Sequence, residues 1–144
     1  MKWVTWENVG VDRIGCAWLI RKHIDPKAEF VFIPHGSHDI PASAEPFDIP
    51  GVRLSHRRGH CSFHTMLDEY KLTDAVLRRM ARIIDEADTV QEVTVEPAAA
   101  GLDLICDGLR LTSSDDATAI DRGGLVYDAL YARLAAEAKQ GGRR

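Results

Sequence analysis

Thr73–Asp88, TDAVLRRMARIIDEAD, is the stretch that decides the fold. Val76, Met80, Ile83, Ile84 and Ala87 recur at the helical period and leave the arginines on the opposite side. Thr73 reads as the cap. Leu72 before it can reach Leu77 as a hydrophobic staple. The reading extends downstream. Pro97 suits a first helical position, and Ala98, Leu102, Ile105 and Leu109 follow with helical spacing. Asp115–Arg122 reads as a short helix broken at Gly123-Gly124. Leu125–Ala138 is the last helix, with Val126, Leu130 and Leu134 inward beside Tyr127 and Tyr131.

Upstream the pattern changes. Asp12–His23 reads as a helix with Asp12 as its cap. Ile14, Ala17, Trp18 and Ile20 lie near one face, and Asp25-Pro26 stops it. Glu29–Ile33 is a β-rich apolar run, and Val52–Ser55 alternates like a second strand. Pro34, Pro41, Pro46 and Pro50, with Gly36 and Gly51, mark irregular loop. Ser62–Glu69 reads as a short helix. Helices dominate after residue 62 and strands lie before it. The expected class is α+β, a mainly helical single domain with a small two- or three-stranded sheet in the N-terminal half. Residues 1–138 form that domain and 139–144 a flexible tail.

The chain has 144 residues, 18 Lys+Arg against 22 Asp+Glu and a net charge of −4. An acidic balance argues against direct nucleic-acid or anionic-membrane binding. No apolar run approaches the ~20 residues of a membrane span. Met1-Lys2 leads into WVTWEN rather than a signal sequence, so the expectation is a cytoplasmic protein. Cys16, Cys61 and Cys106 are an odd, widely spaced set without CxxC, which fits reduced, buried thiols.

LSHRRGHCSFH places His56, His60, Cys61 and His64 within a short stretch around Gly59. Imidazole and thiolate are the usual ligands of zinc and similar divalent ions. His56 leaving a strand and His64 in the first turn of the next helix can point into one cleft, with His60 toward solvent. Asp85 and Asp88 share a face at the end of the long helix, where two acids oppose the helix dipole and call for a cation. The expected metal set is His56, His64 and Asp88, extended by Cys61 and Asp85. An arginine such as Arg13 or Arg57 accounts for the acids equally well. Arg13 sits at a helix start, where amides favour anions, and Arg21 with Lys22 makes a basic edge. Arg13 and Arg21 are the expected substrate-binding residues. His23, His35 and His38 carry no pattern of their own and are expected to be exposed.

VDRIGCAWLIRKHIDPKAEFVFIP, PFDIPGVRLSHRRGHCSFHTML, AAAGLDLICDGLRL and LVYDALYARL, taken in order, resemble the C-terminal domain of the chromate-resistance protein ChrB family. The family's D-R-x4-W-L-I segment corresponds to Asp12, Arg13, Trp18, Leu19 and Ile20. Its H-x4-C-x-F segment corresponds to His56, Cys61 and Phe63, with His64 where relatives carry an acid. Relatives carry a further N-terminal region, so the chain resembles the domain standing alone. The resemblance implies a place in chromate resistance and a small oxyanion such as chromate as ligand. It leaves three functions to weigh. One is a metal-binding domain, including a metal-dependent enzyme acting on an anion. Another is an oxyanion-sensing regulatory module without catalysis. The third is thiolate redox chemistry at Cys61. A homodimer is compatible with a domain of this size.

Overall fold

The computed structural model describes residues 1–141. Strand β1 (Lys2–Trp6) is central. It pairs in parallel with β2 (Glu29–Ile33) on one side and β3 (Ala44–Pro46) on the other. Trp3 lies across from Phe30 and Val4 across from Val31. Parallel neighbours need a crossover. Here it is α1 (Val11–Leu19), which continues as a π-helical turn over Ile20–Ile24. The Asp25 amide reaches back to the Ile20 carbonyl at 2.7 Å and closes that turn. Four helices follow: α2 (Ser62–Glu69), α3 (Ala75–Asp88), α4 (Ala98–Thr112) and α5 (Asp116–Gly141). The α+β class with a small N-terminal sheet is therefore what the chain forms.

The sheet divides the core. Trp3 faces α1 and joins Ile14, Trp18, Phe63, Met80, Ile84 and Tyr127 in the main cluster. Val4 and Trp6, alternating to the other face, pack with Ile33, Ala44 and Ile49. Among the described residues no helix is long and apolar enough to cross a membrane.

Several local expectations are corrected. Lys2–Trp6, KWVTW, is the central strand and was not anticipated. Val52–Ser55 is a turn joined to the sheet side only by a Phe47–Leu54 bridge, and its alternation reflects Leu54 pointing into the core. Asp74, not Thr73, caps α3, accepting from the Val76 and Leu77 amides. Ile105 is exposed; α4 buries Ala99, Leu102 and Cys106 instead. The two expected C-terminal helices are one. Gly123 does not break α5: the Ile14 side chain of α1 occupies the space where a Cβ would stand. Burial of the close crossing outweighs the poor helix propensity of the glycine pair. α5 continues to Gly141, and residues 142–144 of the expected tail lie outside the described residues.

Candidate metal centre

Asp12 is in the first turn of α1, but it does not cap its own helix. Gly10 occupies the cap position without a side-chain bond. The Asp12 carboxylate instead accepts the Ser62 amide at 2.8 Å and the Phe63 amide at 3.0 Å, the first amides of α2. Its Oδ2 also receives His56 Nε2–H at 3.1 Å. The group is almost fully buried, at 2% exposure. A buried carboxylate survives only when fully hydrogen-bonded, and this one is.

Asp48 lies in the loop after β3 with φ +51°, a left-handed conformation that aspartate tolerates better than most residues. Its amide bonds the Leu54 carbonyl and its Oδ1 accepts the Ser62 hydroxyl at 2.7 Å. Arg13 clamps the same residue. Its Nη2 donates to the Asp48 carbonyl at 3.0 Å, and its Nε lies 3.2 Å from Oδ2 without a well-aligned hydrogen bond. The guanidinium also sits over the Trp6 ring.

His56, in the loop before α2, is the centre of the arrangement. Its Nε2 is 3.1 Å from Asp12 Oδ2, 3.0 Å from Asp88 Oδ2 and 3.7 Å from Asp48 Oδ1. Burial works to raise the Asp12 carboxyl, but the His56 hydrogen bond and the two α2 amides hold it below the ordinary value. Burial pushes Asp48 well up, and the nearby Asp12 charge adds to this, while Arg13 opposes it. Hydrogen bonds to Asp12 and Asp88 raise His56 to about 10. Two carboxylates thus lie within 3.1 Å of His56 Nε2 and a third at 3.7 Å, a position where positive charge is favoured.

Ligand atoms held at ~2.0–2.2 Å around one ion are separated by about 3.0–3.5 Å along the edges of its coordination shell. One ligand atom from each of Asp12, Asp48 and His56 lies within 4.8 Å of the others, and His56 Nε2 is 3.1 Å from Asp12 and 3.7 Å from Asp48. Asp88 touches His56 from the end of α3 and stands beside this group of three. The arrangement opens into a cleft of about 580 Å³, whose outer wall includes Asn8, Asp103, Asp107 and Arg110.

The residues singled out from the sequence distribute over four places. His56, Asp88 and Arg13 come together in the cleft. His64 does not join them: it stacks on His60, with ring centroids 3.9 Å apart, in a separate cavity. His60 is not simply turned to solvent, because its Nδ1–H donates to Asp85 at 2.7 Å. Asp85 is buried and also accepts the Cys61 amide, so it faces α2 rather than the cleft. Cys61 is fully buried with its thiol toward the Ala81 carbonyl, and burial pushes that thiol well up. Arg21 is in the π-helical turn that follows α1, paired with Asp121 of α5 at 2.7 Å and stacked over Phe30. Lys22 pairs with Asp128, so the basic edge is neutralised by α5. Asp12 and Asp48 were missed as site residues. The signal for Asp48 was an aspartate isolated between Pro46 and Pro50, where a left-handed turn was needed. That for Asp12 was an acid with no cap to make once Gly10 began the helix.

The profile of a family described as "ChrB, C-terminal domain" matches residues 3–134. The chain is similar to "Protein ChrB" of Cupriavidus metallidurans, with 31% identity over 140 residues, 96% of this chain and 42% of the relative. It therefore spans about two-fifths of the length of that curated relative. No solved structure matches.

Proposed function

The chain belongs to the ChrB C-terminal-domain family, and on that premise we propose that it is a divalent-metal-binding domain whose ion presents an anionic substrate or ligand, with Asp12, Asp48 and His56 as ligands and Asp88 beside them. One observation carries the reading: two carboxylates and an imidazole nitrogen from three separate segments meet within 4.8 Å in the wall of the acidic cleft. A mixed oxygen and nitrogen donor set suits a borderline ion such as zinc or manganese. Such an ion would polarise a bound oxyanion or acidify a water.

The protein's own residues divide the remaining work. Arg13 fixes the Asp48 backbone and leaves its guanidinium on the cleft wall, where it can meet a bound anion. Ser62 and the α2 amides hold the two acids in place, as outer partners of metal ligands commonly do. The tie to chromate resistance implied by the resemblance directs the anion to the oxyanion class.

Charge favours this over anion sensing without a metal. The cleft is lined by Asp12, Asp48, Asp88, Asp103 and Asp107 against Arg13, Arg110 and His56. An oxyanion entering it unaided meets a net negative wall; a bound dication reverses that. Metal analysis of untagged protein after reconstitution tests the proposal. About one equivalent is expected in the wild type and loss of most of it in His56→Ala and Asp48→Asn. Below ~0.2 equivalents, or unchanged content in the variants, the proposal is overturned.

A further inference from the structure

A second cavity, of about 260 Å³, is walled by Arg57, Arg58, His60, His64, Thr65 and Asp68. Its charge is opposite to that of the acidic cleft. Asp68 is the one acid in its wall, and Arg78 of α3 takes that carboxylate at 2.7 Å. Arg57 reaches Glu69 at 3.3 Å. No carboxylate pairs with Arg58 among the described residues.

The donors are held in place. Arg57 and His60 exchange backbone hydrogen bonds across a tight turn with Arg58 and Gly59 at its tip, both at positive φ. That geometry fixes the turn twist and so the direction in which Arg58 leaves it. His60 is anchored from behind: Nδ1–H donates to buried Asp85, whose other oxygen holds the Cys61 amide. The carboxylate behind the imidazole fixes the ring orientation and leaves Nε2 on the far side of the ring. His64 stacks on that ring within 9° of parallel and fixes its plane. The α2 amides of Cys61, Ser62 and Phe63 are already used by Asp85 and Asp12, so this cavity is built from side chains and not from a helix terminus.

We propose that this cavity binds a dianionic oxyanion group of the phosphate class, with Arg58 and His60 Nε2 as its main donors and Arg57 at the rim. The site is independent of the metal reading and shares none of its ligands. The planar fork of arginine and an imidazole N–H suit tetrahedral oxygens. The cavity exceeds the size of a bare ion, so a free phosphate and a phosphate ester share the chemistry.

Titration of inorganic phosphate into the full chain, with chelator present and ionic strength held constant, tests it. Ring ¹H–¹⁵N signals of the histidines report the site. Saturable shifts at His60 and His64 are expected. Arg58→Gln and His60→Gln are each expected to weaken binding about tenfold, whereas Arg21→Gln, outside this cavity, leaves it unchanged. Arg58 is on the surface, so its variant keeps the fold even if His60→Gln does not. Tighter binding of phenyl phosphate assigns an ester; equal binding assigns the free ion. Wild-type affinity in Arg58→Gln, loss of affinity in Arg21→Gln, or shifts that fail to saturate overturns the proposal.

Discussion

Asp12 of α1 and Asp85 of α3 perform the same task on opposite sides of the α2 N-terminus. Asp12 takes the Ser62 and Phe63 amides and the Nε2 proton of His56. Asp85 takes the Cys61 amide and the Nδ1 proton of His60. Each carboxylate thus ties a helix start to one histidine, and the two histidines face two different cavities. α2 is short and makes no side-chain cap of its own, so its placement depends on acids borrowed from its neighbours.

The first prediction follows from that borrowing. Asp12→Asn and Asp85→Asn each put an amide NH₂ where backbone donors already point. Each is expected to cost about 2–4 kcal/mol in urea denaturation, because a buried, charge-assisted network is broken. Asp88→Asn, on the partly exposed end of α3, is expected to cost under ~1 kcal/mol while reducing metal content. A loss below about 0.5 kcal/mol at both buried acids would remove capping as the reason for their burial.

His56 supplies the pH dependence. Its folded value is raised to about 10 from 6.5, chiefly by the hydrogen bonds to Asp12 and Asp88. A raised imidazole contributes stability that is complete below 6.5 and is lost as pH climbs through the folded value. Metal-free protein is therefore expected to lose stability between about pH 7 and 10. Solvent screening at this half-exposed ring reduces the size of the loss. The His56 ring should stay protonated at pH 8 by NMR. Zinc addition should displace that proton, giving binding heats that depend on the ionisation heat of the buffer. A ring that titrates near 6.5 would contradict the geometry.

Asp48 acts in the same direction on the pH scale, but here it is the charged form that the fold disfavours. Burial, with the Asp12 charge, holds its carboxyl well above 3.8. Stability is therefore lost as pH rises above the unfolded value, because the folded state resists ionising it. Asp48→Asn keeps an acceptor for the Ser62 hydroxyl and removes that cost. The metal-free variant is expected to melt about 3 °C higher than the wild type at pH 7, and to lose the rise in melting temperature that metal gives the wild type. Calorimetry with and without zinc reads both effects. A lower melting temperature in the metal-free variant would show that Asp48 is needed for its pairing with Arg13.

Much of this architecture was legible because it rests on local periodicity. The stripe of Met80, Ile83 and Ile84 located α3, and the apolar run of Glu29–Ile33 located β2. What stayed hidden depends on groups far apart in the chain. Asp12 and Ser62 are 50 residues apart, and no spacing rule joins them. A helix-start acid was assigned to its own helix, which is its commonest use. His64 was placed with His56 because both bracket Gly59. The positive φ at Arg58 and Gly59 instead forms a tight turn, and His60 and His64 end in the other cavity. Arg21 was grouped with Arg13 by helix membership. It lies in the π-helical turn beyond α1, where α5 supplies its acid.

The glycine pair in α5 gives the last prediction, because its two members sit in opposite surroundings. A Cβ on Gly123 would collide with the Ile14 side chain, while one on Gly124 meets nothing within 4 Å. Ile14 is fully buried and cannot move without displacing its neighbours in the main core. Gly123→Ala is therefore expected to cost about 1–3 kcal/mol through overpacking at the α1–α5 crossing. Gly124→Ala is expected to add about 0.5–1 kcal/mol, because alanine restricts the unfolded chain and favours the helix. The cost of Gly123→Ala should be smaller in an Ile14→Ala background, which removes the γ carbon that the new Cβ would meet. Equal effects of the two alanines, measured by urea midpoint, would mean that the pair acts only through helix propensity and that α5 does not need the close approach to α1.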